Sequence, residues 1–402
     1  MNRGHPEEDE YEIAAAISSG NARGGKTTIS EEIAMQNQVW VAGFPSFYGG
    51  ADTELDHLID LLRCFEVDVH LVPMFGADPQ MKANVIARRC HIHEYRDDIF
   101  VDKTVVSMCN GSFLEKLPLI MRSGRPEKVI WFNCMTWLFD REKEAHRNGW
   151  IDLFGFESDY QKSLLIPQLE GIRPVRTFPY RPFFNAARIE WRYRSWEGCY
   201  KIGRISRDDA NKFAPDTWRI FDRVLVPPHL KKKVYILGYG PRAKERIGPA
   251  PATLDWQTWS PNAIPSSQFY NTIDTMIHKT GGSRENCPRV LFEAYAHGVV
   301  PVVERGFAFP ELVVHGETGF MGSSSDEMSY QASMLAMNPR EHRRVAENGR
   351  SYLEEEFFRP EECWSAWHEI FNEGASCGAT ISPGADAAAM NNGLATEQMG
   401  FA

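Results

Sequence analysis

Two cations and two carboxylates in the second half of the chain carry the first chemical signal. Gly203-Arg204 ends an apolar run, and Lys212 stands eight residues after the arginine. A planar guanidinium fork and an ammonium point charge in one loop, at the carboxyl end of a strand, suit a diphosphate. Glu285 is followed at a spacing of eight by Glu293. Pro288 stands between them where a helix should begin, and proline is favoured at the first helical position. The free N–H groups of Cys287, Arg289 and Val290 would then lie at a positive helix end, which favours a phosphate or sugar oxygen. Glu285 in the loop can accept sugar hydroxyls, and Glu293 on the helix can reach those of a ribose. Each pair alone occurs by chance in many proteins; the combination is what informs.

Two further segments extend the pattern. Glu293-Ala-Tyr-Ala-His-Gly298-Val-Val-Pro301-Val-Val reads as a helix of small residues, a glycine cap and a buried strand. Phe309-Pro310-Glu311-Leu-Val-Val-His315-Gly316-Glu317-Thr318-Gly319-Phe320 begins as a loop with an acidic residue and ends in a glycine turn. In this order the four segments resemble the family 4 glycosyltransferases, the large retaining group with the GT-B fold. The match is close over roughly residues 198–322 and extends over 38–372.

That resemblance implies an α/β, GT-B architecture: two Rossmann-like, doubly wound domains facing a central cleft, with a C-terminal helix crossing back to the first. It implies that Arg204, Lys212 and Glu285 are catalytic. The two cations would hold the donor diphosphate and stabilise its growing charge, and Glu285 would bind the donor sugar. Glu293 would hold the nucleotide ribose, with Gly203, Cys287, Arg289, Val290 and Glu311 also on the donor side. Gly49 and Gly50, within Tyr48-Gly-Gly-Ala-Asp-Thr-Glu54, look like the first domain's glycine loop, where backbone approaches the phosphate or the reacting sugar. Two departures stand out. Asn286 and Pro288 replace glycines common in the family. The family's first-domain histidine has no counterpart in Trp131-Phe-Asn133-Cys134-Met-Thr136-Trp137, and His146 lies too far along the chain. Asn133, Thr136 and Tyr48 are the candidate acceptor contacts.

The elements that must position these residues follow from periodicity. Val39–Gly43, Val67–Val72, Thr104–Ser107, Val129–Phe132 and Leu153–Phe156 read as strands, with a 3.6-period helix over 51–64. Helix-length intervals between strands imply βαβ units and a parallel sheet. A stretch rich in Pro, Arg and aromatics, 173–196, reads as a connection. The second half repeats the logic with strands at Cys199–Gly203, Val234–Gly238, Asp274–His278 and Val299–Val303, and an aromatic helix over 360–372 closes it. The resulting division is a tail over 1–36, an acceptor domain over 37–190, a donor domain over 191–352, a crossover helix over 353–373 and a tail over 374–402. Ligands of such sheets bind at strand carboxyl ends, so paired domains place the site between them.

The bulk numbers agree. A chain of 402 residues, 43% hydrophobic and 24% charged, suits a soluble protein of two or three domains. No run approaches a membrane span and the start is polar and Glu-rich, so the expected location is the cytoplasm. A net charge of −10 argues against a general nucleic-acid-binding surface. The eight cysteines, Cys64, Cys90, Cys109, Cys134, Cys199, Cys287, Cys363 and Cys377, form no CxxC pair, which argues against a zinc site. No Asp-x-Asp is present to hold a divalent ion on a diphosphate, so metal-independent transfer from a nucleotide-diphosphate sugar is the expectation, with no cofactor. The acceptor is open among polysaccharide, small molecule, lipid, protein and nucleobase. Two alternatives remain: a non-catalytic nucleotide-sugar-binding protein of the same fold, and a P-loop nucleotide triphosphatase through Gly20–Thr27, which matches G-x4-G-K-T but lacks the strand that motif needs.

Overall fold

Short runs of β-branched residues, buried on both faces, build two parallel sheets, because only a sheet covered on both sides tolerates such continuous apolar strands. The computed structural model describes residues 37–47 and 49–373. Tyr48, the P-loop-like segment and both tails lie outside the described residues.

The first sheet contains β1 (Gln38–Ala42), β2 (Asp68–Val72), β3 (His91–Ile92), β4 (Thr104–Met108), β5 (Lys128–Asn133), β6 (Leu153–Phe156) and β7 (Thr177–Phe178), in the order 3-2-1-4-5-6-7. The second contains β8 (Cys199–Ile205), β9 (Lys231–Leu237), β10 (Asp255–Trp259), β11 (Thr275–His278), β12 (Val300–Glu304) and β13 (Phe320–Gly322), in the order 10-9-8-11-12-13. All pairs are parallel. The order reverses between β1 and β4 in one sheet and between β8 and β11 in the other. In open α/β sheets, loops leaving the strands at such a switch point diverge to opposite faces, and ligands bind between them.

Each sheet buries an apolar cluster on either face. The last helix, Pro360–Glu373, belongs to the first lobe although its sequence follows the second. Cys363, Trp367 and Ile370 join the core under β1, β2 and β5. The Trp367 ring lies 4.8 Å from Phe178 and 5.9 Å from Phe132, and Trp364 stacks on Phe65 at 4.7 Å. Among the described residues no helix is long and apolar enough to cross a membrane.

Four strands escaped the sequence reading, each for a physical reason. β3 and β7 are two-residue edges, the latter inside the stretch expected to be connection. β10 is a largely exposed edge with the uninformative sequence Asp-Trp-Gln-Thr-Trp. β13 is the end of the expected glycine turn, fully buried beside β12.

Candidate functional site

At the switch point of the second sheet, two loops are tied together by backbone. β8 carries Arg204 to its carboxyl end, and the chain then makes a short 3-10 turn over Ala210–Lys212. The Asn211 carbonyl accepts from the N–H groups of Gly281 and Ser283, at 2.9 and 3.0 Å, in the loop leaving β11. A Cβ on Gly281 would sit 2.0 Å from the Phe213 carbonyl oxygen, so only glycine allows this approach. The Arg204 guanidinium donates through Nη2 to the Lys212 carbonyl. Arg204, Lys212 and Glu285 thereby meet, with Lys212 Nζ 2.8 Å from Glu285 Oε1. His278, at the end of β11, places Nε2 3.4 Å from the same oxygen.

The electrostatics of this group are polarised. Arg204 is 1% exposed, and among the described residues its Nε and Nη1 donors have no partner. Burial lowers its guanidinium to about 10, against the pull of Glu285 and Glu304, so it remains charged at neutral pH. Burial, reinforced by the Arg204 charge, pushes His278 down to about 4, so this imidazole is neutral. Burial works to raise Glu285, yet the His278 hydrogen bond and the Lys212 charge hold it well below the usual carboxylate range. Glu285 thus sits between two cations, Arg204 and Lys212, with Glu304 close enough to act on the arginine as well. Buried donors without acceptors are costly to leave unmade, which sets Arg204 apart from a packing residue.

The remaining donor-side residues divide. Gly203 lies inside β8, where a Cβ would sit 2.6 Å from Ile273, so its role in the structure is strand packing. Pro288 is the N-cap rather than the first helical residue, and the helix runs Arg289–Ala296. Among the described residues nothing accepts from the N–H groups of Cys287, Arg289 or Val290. Glu293, one turn along, is raised to about 7 by burial, against a hydrogen bond with Tyr270.

The Arg289 side chain turns away from this site and crosses to the other lobe. Its Nη1 lies 2.5 Å from Glu54 Oε2, with Arg289 6% and Glu54 1% exposed. Tyr180 donates to the other oxygen of Glu54, and the Phe183 carbonyl accepts from Arg289 at 3.3 Å. Glu311 also crosses: its carboxylate accepts from the backbone N–H of Asp159 and Tyr160 at 2.8 and 2.7 Å. It therefore caps the N-terminus of the first-lobe helix Asp159–Glu170, where negative charge is favoured. Asn286 donates to Glu157 Oε2 at 2.8 Å and meets Ser158.

In the first lobe, Gly49 caps the helix Gly50–Cys64 with φ +97, at the carboxyl end of β1. Asp52 stands in the first turn of that helix and burial raises it to about 6. Cys109 follows β4, Cys134 follows β5 and Glu157 follows β6. Burial and then the Glu54 charge push Glu157 up to about 8. Asn133 is fully buried, its amide nitrogen bound to Glu142 at 2.9 Å and to the Trp137 carbonyl at 3.0 Å. Its oxygen accepts from Met135 N–H at 2.6 Å, so Asn133 holds the turn and has no free group for a ligand. Thr136 is buried in the same turn. His146 is pinned through Nε2 to the carbonyls of Leu169 and Arg173, at 3.2 and 3.1 Å, inside the first lobe. His278, Glu54 and Glu157 were missed in sequence. Their one legible signal is position, since His278 and Glu157 close or follow strands.

No family model matches the sequence, and no curated protein resembles it in sequence. Solved structures do match in shape. A glycosyltransferase from Rickettsia africae superposes with a TM-score of 0.63 at 12% identity, covering 84% of this chain and 98% of that one. Anabaena HepE, in complex with UDP and glucose, gives 0.59 at 16% identity over 85% of this chain and 100% of that one. Sucrose-phosphate synthase from Thermosynechococcus elongatus gives 0.59 at 12%, again over 85% and 100%. The fold is GT-B. Within it, the group around Arg204 and the Gly49 turn stand at the switch points of the two sheets, the positions at which open α/β sheets take ligands.

Proposed function

We propose that this chain is a retaining, metal-independent glycosyltransferase that moves a sugar from a nucleotide-diphosphate sugar to an acceptor hydroxyl. The observation that supports it best is the pair of buried, unpartnered Arg204 donors beside Lys212 at the β8/β11 switch point. HepE, a structural neighbour of this fold, carries UDP and glucose.

On this reading Arg204 and Lys212 hold the diphosphate, with the N–H groups of Cys287 and Val290 adding a positive helix end. Glu285, kept ionised, accepts hydroxyls of the donor sugar, and Glu293 accepts those of the ribose. As the glycosidic bond breaks, negative charge grows on the leaving diphosphate, and fixed cations in a water-poor site stabilise it more than they stabilise the ground state. The acceptor hydroxyl enters from the first lobe, past Gly49 and the rim formed by Asp52, Cys109, Cys134 and Glu157. It attacks on the face the diphosphate leaves, and its proton passes to a leaving-phosphate oxygen, so no protein base is needed. Residues 37–190 form the acceptor domain and 191–352 the donor domain, and the protein works in the cytoplasm.

A donor that binds the folded chain must raise its melting temperature, by the equivalent of about 2.7 kcal/mol at a hundred times Kd. Sugars of UDP, GDP, ADP and dTDP should be screened, with the matching free nucleotides as controls. One base should stand out, and turnover of its sugar should follow. No shift from any of them at millimolar concentration overturns the reading.

A further inference from the structure

The outer edge of the first sheet carries a tier of polar rings that the transfer chemistry does not use. Side chains alternate faces along a strand, so Asp68 and His70 on β2 point to one face while Val69 and Leu71 are buried on the other. The register sets Trp40 beside His70 on one side and His91 beside it on the other. Asp68, His70 and His91 thus converge. His91 Nε2 lies 3.0 Å from Asp68 Oδ1 and His70 Nε2 lies 3.3 Å from Asp68 Oδ2. One ligand atom from each lies within 4.8 Å of the others. His93, two residues on, sets its Nε2 2.9 Å from His70 Nδ1. Trp40 stacks flat on His70 at 4.5 Å and on His93 at 4.7 Å, fixing both rings.

We propose that Asp68, His70 and His91 bind a divalent transition-metal ion of the Zn²⁺ type. In the tautomer a metal ion requires, His70 donates from Nδ1 to His93 Nε2, and its own Nε2 lone pair faces the Asp68 carboxylate and His91. That arrangement, a ligating imidazole oriented by a hydrogen bond from its other nitrogen, is how proteins build such sites. Two imidazole nitrogens and a carboxylate suit Zn²⁺, Co²⁺ or Cu²⁺ and disfavour Mg²⁺ and Ca²⁺, which prefer all-oxygen shells. The cysteine spacing bears only on thiolate sites and leaves this one open. The ion would clip the two-residue edge strand β3 onto β2, away from the switch points, and so has no part in the transfer step.

The test uses the full-length, tag-free chain, stripped with chelator and titrated with Zn²⁺ by calorimetry and with Co²⁺ by visible absorption. The expected result is one saturable ion per chain, with Co²⁺ bands lacking the intense near-ultraviolet absorption of thiolate ligands. His70→Ala and His91→Ala should each weaken binding more than a hundredfold, and His93→Ala about 10- to 100-fold, the usual cost of losing an outer partner. His91 is half exposed, so His91→Asn keeps the inference testable if His70→Ala does not fold. Absence of stoichiometric binding, or affinity within twofold of wild type in both His91→Asn and Asp68→Asn, overturns it.

Discussion

Replacing Lys212 by methionine keeps the aliphatic stem and removes one positive charge from the group around Arg204. The ammonium sits 2.8 Å from Glu285, with the lysine side chain 19% and the glutamate 7% exposed. At an effective dielectric near 20, a unit charge about 4 Å from a developing phosphate charge is worth roughly 4 kcal/mol. Partial exposure and neutralisation by Glu285 reduce that to about 2 kcal/mol at the least. Each ~1.4 kcal/mol is tenfold in rate, so kcat/KM should fall between about 30-fold and roughly a thousandfold. The assay is the initial rate with whichever nucleotide sugar most raises the melting temperature, alongside far-ultraviolet dichroism to show the fold intact. The same substitution removes the cation that holds Glu285 ionised. A carboxylate whose folded value is depressed contributes stability above its unfolded value, about 4.3, and loses it as pH falls through the folded value. The stability gap between wild type and variant should therefore be widest at neutral pH and narrow below about pH 4. A folded variant with a rate within threefold of wild type refutes the assignment of Lys212.

Three further outcomes are expected. Arg289→Met leaves Glu54 buried without its cation, so urea unfolding should show a loss of about 3–5 kcal/mol, and a loss under 1 kcal/mol would mean the inter-lobe pair is not a stabilising contact. Chelator should leave turnover intact and added Mg²⁺ or Mn²⁺ should not stimulate it, whereas activity that requires either ion would refute metal independence. Glu157 sits at about 8, above its unfolded value, so the folded chain holds its proton and wild-type stability should decline as pH rises from about 4 to 8. Melting curves of Glu157→Gln should escape that decline, gaining on wild type between pH 5 and 8.5; parallel pH dependence in the two would contradict the buried, protonated carboxyl.

The sequence made the donor-side group legible because its members hang on strong local signals. Arg204 ends an apolar strand, and Glu285 precedes a proline-started helix, so topology alone brings them to one switch point. Direction was not legible. Arg289 and Glu311 share that segment, yet their side chains cross to Glu54 and to the Asp159 helix, because nothing local says which lobe a side chain will face. Asn133 was read from its place after a strand, whereas burial against Glu142 commits its amide to a turn. The histidine tier was invisible for a related reason: Asp68, His70 and His91 become neighbours only through the register of β2 on β3. β13 was hidden because three buried residues between glycine turns carry no period.

The closing helix has a consequence for how the chain is made. Trp367 fills the groove formed by Phe132 and Phe178, and it is among the last described residues to be translated. A nascent chain leaving the ribosome can assemble the second lobe while the first still shows that groove to the cell's chaperones. A fragment ending near residue 190 would keep it open permanently, so expressing the first lobe alone invites aggregation unless the helix is supplied in trans.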